Sequence, residues 1–344
     1  MHNVPEITVV IPGRNVADVV PLCLIALRDI EGTDRIAEII FVDDNSSDAT
    51  AAAVRSFDVR NLRGRGRGPA AARNLGWQAA ATPLVWFLDA DCVPASDALA
   101  PLLEGIQADR VAAVGSTFGN MRPYSLLASL IDAEIVVRHG RMPREVNYLA
   151  GGSLLCRKTA LEEVGGFDES LPTAEDTDLA YRMQAAGWKL RFEPRSVVRH
   201  FHTNRLPYYL RAQRRHGRNR ALVYRRFPRH IKGDHYSGPL DYIQPPLAML
   251  VLGSLPLAFW PWGRWIPVGL VVLLVLIQVP MTLRIVVQSR RLSMLAFLPL
   301  GVVRSFARGL GMCQGLLAAA TGTGESKPPC PRQTAASVSS KTCE

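Results

Sequence analysis

The amino-acid sequence predicts an α/β fold, in which a mostly parallel sheet is flanked by helices, followed by transmembrane helices and a disordered tail. Over the first two thirds of the chain, short apolar or β-branched runs alternate with amphipathic segments. Residues 244–320 are then strongly apolar, and residues 321–344 are rich in Ser, Thr, Pro and Lys. We therefore expect an α/β domain over residues 1–235, a membrane region of two or three helices over 244–320, and the tail.

Each predicted strand is an apolar run that ends at turn residues or acidic residues. The first is β-branched and ends at Pro12-Gly13, and the third is a continuous apolar run that ends at Asp89. Ser46 or Ser47 is expected to cap the helix after the second strand. The predicted strands are residues 7–11, 36–42, 84–88 and 111–115, and the predicted helices are residues 19–28, 49–57, 70–81 and about 173–186.

Acidic clusters follow the second and third predicted strands, at the sheet edge where α/β folds bind ligands. Asp89 and Asp91, separated by one small residue, can hold a divalent cation, and hard oxygen ligands suit Mg²⁺ or Mn²⁺. Such a cation bridges diphosphate oxygens and offsets the charge on a leaving diphosphate. A solvated acidic turn is the alternative interpretation.

The earlier acidic cluster, Asp43-Asp44, is placed to accept hydrogen bonds from the N–H groups of a nucleobase. A helix cap combined with a turn is the alternative. Arg73 follows the glycine-rich loop 64–68 and is expected to pair with a phosphate or with these two carboxylates. The loop is neither a P-loop nor a dinucleotide-binding fingerprint, because no Gly-Lys-Ser/Thr follows and Pro69 stands where the third glycine is needed.

The third acidic cluster, Glu175-Asp176-Thr177-Asp178, has two interpretations. Thr173 and Asp176 have capping-box spacing, so these acids can favour the N-terminus of a helix that runs to about Ala186. Alternatively, one carboxylate with a second beside it acts as the general base that deprotonates an acceptor hydroxyl. His200 follows a short apolar run, and it is either structural, or completes the metal site, or contacts a diphosphate.

The distribution of positive charge points to a membrane. The formal net charge is +10, from 40 Lys and Arg against 30 Asp and Glu. Arginines concentrate between residues 205 and 232, directly before the apolar region, which is typical of the cytoplasmic flank of a membrane segment. We therefore expect the membrane as a partner and no nucleic acid.

Three apolar stretches follow, over residues 245–262, 265–287 and 294–320. A spanning helix needs about 20 apolar residues, so the second stretch fits well and the first is marginal. The third contains Arg304 and Arg308, and it either spans or lies at the interface with both arginines reaching water. A helical hairpin buried in a soluble protein is the alternative.

Cysteine usage and the N-terminus predict the cellular compartment. The six cysteines are scattered, with neither zinc-site spacing nor a disulfide pattern, which fits reduced cytosolic thiols. The first ten residues lack the basic and apolar segments of a signal peptide. We expect a multi-pass protein of the cell (cytoplasmic) membrane, with the catalytic domain in the cytoplasm.

A series of short motifs extends over about residues 5–205. In order, they are Val10-Ile11-Pro12 with Asn15, Val42-Asp43-Asp44-Asn45-Ser46-Ser47-Asp48, Ala72-Arg73-Asn74-Leu75-Gly76, Phe87-Leu88-Asp89-Ala90-Asp91, Gly151-Gly152-Ser153, Val164-Gly165-Gly166-Phe167-Asp168-Glu169 and Glu175-Asp176-Thr177-Asp178-Leu179. Together they resemble family 2 of the inverting glycosyltransferases, which have the GT-A fold. Gly13-Arg14 departs from the usual pattern, in which a hydrophobic or aromatic residue precedes a small polar one.

The resemblance implies a transferase that takes a sugar from a nucleotide-diphospho-sugar donor and passes it to a glycan or lipid-linked acceptor by one in-line displacement with inversion. It makes Asp176 the general base and Glu175 its catalytic neighbour. It also implies that Asp43 and Asp44 bind the nucleobase. The implied donor-binding residues are Pro12, Asn15, Asp43, Asp44, Arg73, Asp89 and Asp91, the implied metal ligands are Asp89, Asp91 and His200, and the implied acceptor-side loop is Gly151, Gly152 and Ser153.

Three other functions are weighed against this one. A processive polysaccharide synthase is disfavoured because residues 213–218 resemble the Gln/Arg-rich motif of processive members but lack its Trp, and because only two or three spans are predicted. A non-catalytic membrane scaffold or lectin-like module is disfavoured by the intact acidic motifs. A nucleotidyltransferase is disfavoured because no Gly-rich, Lys-containing phosphate loop is found.

Overall fold

The computed structural model describes residues 6–228 and 233–321, so the predicted tail lies, apart from Thr321, outside the described residues. The strands are β1 (Ile7–Gly13), β2 (Ile36–Asp43), β3 (Arg60–Arg63), β4 (Leu84–Leu88), β5 (Cys92–Pro94), β6 (Val111–Asn120), β7 (Glu145–Val146), β8 (Ser153–Arg157) and β9 (Lys189–His200). The α-helices are α1 (Val20–Arg28), α2 (Thr50–Val54), α3 (Pro69–Ala79), α4 (Leu99–Ile106), α5 (Leu126–His139), α6 (Lys158–Val164), α7 (Glu175–Ala185), α8 (Leu206–Arg226), α9 (Pro239–Ser254), α10 (Trp265–Ser289) and α11 (Phe297–Ala320).

The strands form one mixed sheet in the order β3-β2-β1-β4-β8-β6-β9-β5, and β7 pairs with β9. Strands β1 to β4 run parallel to one another, whereas β8 runs antiparallel to both of its neighbours, β4 and β6. The predicted α/β class is confirmed, but its parallel character is confined to the first half of the chain and to the β6–β9 pair. The sequence analysis predicted no strand over the five residues of β8, and so it did not reveal the reversal there.

Two apolar layers cover the two faces of the sheet. On one face Val10 and Phe87 pack with apolar residues of α3, α6 and α7. On the other face Val9 and Trp86 pack with residues of α1 and α4. Strands that are buried on both faces read as continuous apolar runs, and this explains why β1, β2 and β4 were visible in the sequence.

The predicted caps of two helices are wrong. Helix α2 begins at Thr50, and the backbone N–H of Thr50 donates to Oδ1 of Asp48 at 3.0 Å. The two serines offered as caps instead bond to the turn after β1, around Asn15. The N-cap residue is Ala49, which has no side-chain cap, and the Asp48 carboxylate accepts from the first helical amide in place of either serine.

Helix α7 lacks the predicted capping box. It begins at Glu175 after Ala174, whose φ of 67° lies in the left-handed region. The Thr173 hydroxyl accepts a hydrogen bond from Asn219 of α8 at 2.7 Å, and it is therefore not available to the helix. The chain thus enters α7 through a sharp backbone turn, and the N-cap residue Ala174 has no side-chain cap.

Three helical segments at the carboxyl end of the described chain are long and apolar enough to cross a membrane: Pro239–Phe259, Trp265–Ser289 and Leu292–Ala320. This confirms the predicted apolar helices. One expectation is wrong, because Arg304 does not reach water. Its side chain is 1% exposed, and its guanidinium pairs with Glu134 of α5, which supplies a counter-charge inside the protein.

Helices α8 and α11 touch through their backbones. A Cβ atom added to Gly311 would lie 1.9 Å from the carbonyl oxygen of Arg214, and one added to Gly217 would lie 2.2 Å from the carbonyl oxygen of Arg308. Small residues at a helix crossing allow this approach. The contact fixes the carboxyl-terminal helix against the helix that follows β9.

We expect Gly311→Ala to lower the free energy of unfolding by about 1–3 kcal/mol, because its methyl group must push the two backbones apart. Thermal unfolding of the purified chain in detergent measures the change. Gly269→Ala on α10 is the matched control, since no atom lies within 4 Å of the added Cβ there. Equal melting temperatures for the two variants would contradict the close contact between α8 and α11.

Candidate active site

A cleft of about 1210 Å³ lies at the carboxyl ends of β1, β2 and β4. Asp44, Asp91 and Asp176 all line it, although they come from three distant parts of the sequence. The cleft continues past the sheet to α8, α9 and α11. The predicted acidic clusters therefore share one cavity, as the function assigned to them requires.

Arg73 is the central side chain of this cleft. It is 3% exposed, and its guanidinium donates to Glu175 at 2.8 Å and to Asp89 at 2.7 Å. The ring of Phe167 lies 5.4 Å from the guanidinium carbon. The predicted partners of Arg73 were a phosphate or the carboxylates of Asp43 and Asp44. The predicted pairing with these two aspartates is wrong, because Arg73 pairs with Asp89 and Glu175 instead. The bidentate fork of an arginine instead joins the end of β4 to the start of α7.

The carboxyl groups around Arg73 differ in their acidity. Burial raises the pKa of both Asp89 and Glu175, and the nearby positive charge of Arg73 only partly offsets this effect. Burial also acts to raise the pKa of Asp91, but the hydrogen bond and charge of His200 outweigh it, and the net pKa is lowered. Asp91 is therefore the carboxylate of this group that is most firmly ionised.

His200 lies beside Asp91 because β9 ends there, in antiparallel register with β5. Its Nε2 atom is 3.3 Å from Oδ2 of Asp91. Its Nδ1 atom lies 3.0 Å from Nδ1 of His202, whose Nε2 atom is 3.7 Å from Oδ1 of Asp132. His202 and Asp132 were missed by the sequence analysis, since nothing in the sequence predicts contact between this histidine and a residue of α5.

The donor atoms near Asp91 fit a hard divalent cation. Within the described residues, ligand atoms of Asp91, Cys92 and His200 lie within 4.8 Å of one another. Cys92 is fully buried in the apolar core, which removes it from the donor set. Arg73 occupies Oδ1 of Asp89, so Oδ2 of that carboxylate is left to face Gly152. Asp89 is not part of that group, so Asp91 and His200 are the predicted ligands that already lie together, and the Asp91 carboxylate is a hard oxygen donor of the kind that Mg²⁺ or Mn²⁺ accepts.

Asp43 and Asp44 organise the backbone around the cleft. The two carboxylate oxygens of Asp44 accept from the N–H groups of Gly66 and Gly68, each at 2.8 Å. Asp43 accepts from the N–H of Ser46 at 2.8 Å and is not among the described residues that line the cleft. Asp44 thus holds the glycine-rich loop, and contact of either acid with a nucleobase stays a prediction.

Two further predicted donor residues lie in the turn after β1. Pro12 lines the cleft. Asn15 has a positive φ of 55° and accepts from the N–H of Ser47 at 2.8 Å, which ties the turn after β1 to the turn after β2. Within the described residues the side chain of Asn15 does not line the cleft, so the sequence motif marks a loop contact here.

The predicted acceptor-side loop divides into two parts. The N–H of Gly151 donates to Oδ2 of Asp176 at 3.1 Å, and both Gly151 and Gly152 line the cleft. Ser153 is fully buried, and its hydroxyl bonds to Trp86 at 3.1 Å and to Ser116 at 2.7 Å. Ser153 is therefore a core residue of β8, and its predicted contact with an acceptor has no support.

Asp176 lies in the first turn of α7 and is partly exposed to the cleft. Its Oδ1 atom accepts from the N–H of Thr177 at 2.7 Å, and the Gly151 amide bonds its other oxygen. These bonds orient the carboxylate. Its neighbour Glu175 is almost buried and bound to Arg73, so only Asp176 of this pair is accessible.

Replacing Arg73 with Ala should lower the free energy of unfolding by about 3–5 kcal/mol, because Asp89 and Glu175 would then be buried without a counter-charge. Chemical denaturation measures this. Arg28→Ala is the control, since its ion pair with Asp29 is exposed and such pairs contribute roughly 0–1 kcal/mol. A loss no larger than that of the control would show that Arg73 does not hold the site together.

Comparisons with known proteins agree with the fold. Residues 8–161 match the family described as glycosyl transferase family 2. The pre-mycofactocin glycosyltransferase of Mycobacterium tuberculosis is 32% identical over 239 residues, which are 65% of this chain and 48% of that protein. The probable glycosyltransferase YdaM of Bacillus subtilis is 28% identical over 217 residues, which are 58% and 51% of the two chains. The chain thus spans about half the length of these curated relatives.

A solved structure shows the same fold over most of the chain. It is the mannosyltransferase PcManGT from Pyrobaculum calidifontis in complex with GDP-Man and Mn²⁺, with a TM-score of 0.56 and 21% identity. The superposition covers 93% of this chain and 87% of that one. Residues 8–161 are therefore similar to glycosyl transferase family 2, the chain has the GT-A fold, and helices long and apolar enough to cross a membrane follow the matched region.

Proposed function

We propose that this protein is an inverting glycosyltransferase that moves a sugar from a nucleotide diphosphate donor to the hydroxyl of a lipid-linked or membrane-proximal acceptor. The observation that carries the proposal is the single cleft in which Asp91, beside His200, and Asp176 lie on either side of the Arg73 bridge. The family 2 domain and the names of the relatives support the same reaction.

On the donor side, Asp89, Asp91 and His200 would hold a Mg²⁺ or Mn²⁺ ion. When bound, the ion would offset the negative charge that builds on the leaving diphosphate. The complex of the mannosyltransferase PcManGT with GDP-Man and Mn²⁺ supports a metal of this kind in the fold. Asp91 and His200 already lie 3.3 Å apart, which keeps their donor atoms together at the mouth of the cleft.

On the acceptor side, Asp176 would take the proton of the attacking hydroxyl. The acceptor oxygen bonds to the anomeric carbon as the bond from that carbon to the diphosphate oxygen breaks, and attack from the opposite face inverts the centre. Asp176 suits this step because the Gly151 amide and Thr177 fix its orientation while it stays accessible. Glu175 contributes by holding Arg73, and so acts as a positioning residue.

The turns after β1 and β2 would receive the nucleoside. Pro12 and Asp44 line that end of the cleft, and Asp44 fixes the loop at Gly66 and Gly68 that closes it. Asp43 and Asn15 stabilise the same turns by accepting hydrogen bonds from the backbone N–H groups of Ser46 and Ser47. Arg73 would act on the donor through Asp89, whose position it determines.

In the membrane, α9 and α10 would cross as a hairpin, with the catalytic domain in the cytoplasm. The Trp-rich turn over residues 260–265 suits the outer interface, and Arg290 and Arg291 after α10 suit the inner one. The second half of α11 lies along α8, in which seven of the 21 residues are Arg. A helix bound to so basic a neighbour would stay at the inner surface, so α11 does not cross.

We expect Asp91→Asn and Asp176→Asn to separate the two halves of the reaction. Asp91→Asn should abolish both sugar transfer and Mn²⁺-dependent binding of the donor nucleotide. Asp176→Asn should lower the transfer rate by roughly 10²–10⁴-fold, the usual contribution of a general base, and leave nucleotide binding intact. Product formation and calorimetric titration with GDP and UDP measure the two properties.

The exposed residue Asp109, substituted as Asp109→Asn, is the control for the loss of one negative charge. Full turnover in the Asp176 variant would exclude it as the base. Absence of donor binding and of donor hydrolysis in the wild-type chain, with all nucleotide sugars tested, would favour a non-catalytic scaffold.

The arrangement of α11 gives a separate prediction. A green fluorescent protein fused to the carboxyl terminus should fluoresce, because two crossings return the chain to the cytoplasm. The same reporter fused after Gly263, between α9 and α10, should stay dark, because it would be exported. A dark carboxyl-terminal fusion would mean that α11 crosses the membrane.

A further inference from the structure

The membrane-facing end of the cleft is lined by basic side chains that the transfer reaction described above does not use. Arg215 and His216 come from α8, and Arg308 comes from α11. These groups form one cluster, because all three line the same cavity and the backbone of Arg308 lies against α8 at Gly217, the residue next to His216. We propose that Arg215, His216 and Arg308 bind the phosphate or diphosphate group of an amphiphilic acceptor. This inference rests on the proposed function.

Two of these arginines have positive charge that is not compensated. Within residues 6–228 and 233–321, neither Arg215 nor Arg308 has a carboxylate within 4 Å. Arg308 donates through Nε to Oε1 of Gln213 at 2.7 Å, which orients its guanidinium without neutralising it. An anion with several oxygen acceptors is the ligand that two such guanidinium groups bind best.

The acidic residues at this end of the cleft are already paired. Glu134 bonds to Arg138 at 2.7 Å and to Arg304, and Asp241 bonds to Arg138 at 2.7 Å. Arg138 and Arg304 are both buried and thus supply one positive charge for each of these carboxylates. The arginines of the cluster therefore keep their positive charge. The net charge of the side chains at this end of the cleft is positive, which favours the binding of an anion.

An apolar track leads away from the cluster. Met312 and Leu316 follow Arg308 at intervals of four residues, so they lie on one face of α11, and both line the cleft. Leu316 is 54% exposed. Because α11 is proposed to lie at the inner surface of the membrane, this apolar track would run along the edge of the bilayer. A ligand with its phosphate at Arg308 can lay a hydrocarbon tail along these residues.

The same cavity connects the cluster to the proposed base. Tyr148, Tyr224 and Tyr242 line its wall between α8, α9 and the loop before Gly151. Aromatic rings with hydroxyl groups suit the faces and hydroxyls of a sugar. An acceptor with a sugar at Asp176, a phosphate at Arg308 and a tail along α11 would therefore use every part of the cleft that the donor leaves open.

The test uses the full chain in neutral detergent and compares the binding of farnesyl phosphate, farnesol and inorganic phosphate by calorimetry. We expect farnesyl phosphate to bind at least about tenfold more tightly than either of the others, because only it satisfies both the cluster and the track. Arg308→Gln and Arg215→Gln should each weaken this binding by about tenfold to a hundredfold, the usual effect of losing a charge-assisted hydrogen bond. Arg211→Gln, an exposed arginine of α8 outside the cleft, is the matched control.

Arg308→Lys keeps the charge and should retain more of the affinity than Arg308→Gln, which distinguishes a lost anion contact from misfolding. Equal binding of farnesol would overturn the phosphate site, and equal binding of inorganic phosphate would reduce it to a site for a free anion. Loss of Mn²⁺-dependent GDP or UDP binding in the two Gln variants would assign the arginines to the donor and also overturn the proposal. Donor hydrolysis by the wild-type chain is measured in parallel, so failure of the glycosyltransferase assignment is seen independently.

Discussion

The double ion pair of Arg73 is the interaction on which the site depends. Its guanidinium joins residues that are 16 and 102 positions away in the sequence, at the end of β4 and at the start of α7. Because the arginine is buried and each carboxylate depends on it for a counter-charge, these two elements have one favourable relative position. The separation between the proposed metal-binding carboxylates and the proposed base is thereby set by one side chain.

The sequence predicted the residues of the site better than their contacts. The apolar run of β4 leads directly into Asp89, and parallel strands of this kind bring their carboxyl ends to one edge, so a shared acidic cleft was predictable. Contacts formed across β8 and β9 were not, since β8 is short and the charged residues of β9 conceal its apolar pattern. The pairing of His200 with His202 and Asp132 depends on those strands, and no local pattern contains it.

The role of a polar residue that follows a strand was the hardest feature to predict from the sequence. A carboxylate at such a position can bind a ligand or a loop amide, and composition does not distinguish the two. Asp44 bonds to the loop amides and still lines the cleft, whereas Ser153 turns entirely into the core. For Arg304, the sequence showed an apolar helix with two arginines, but no local pattern identified Glu134, which lies 170 positions earlier and provides the counter-charge that stabilises the buried guanidinium.

The backbone contact between α8 and α11 has a mechanical consequence. Since Gly217 and Gly311 leave no side chains between the two helices, neither helix can slide or tilt without displacing the other. Helices α8 and α11 both line the cleft, and α11 belongs to the region whose helices are long and apolar enough to cross a membrane. A displacement of α11 is consequently transmitted to α8 and changes the width of the cleft.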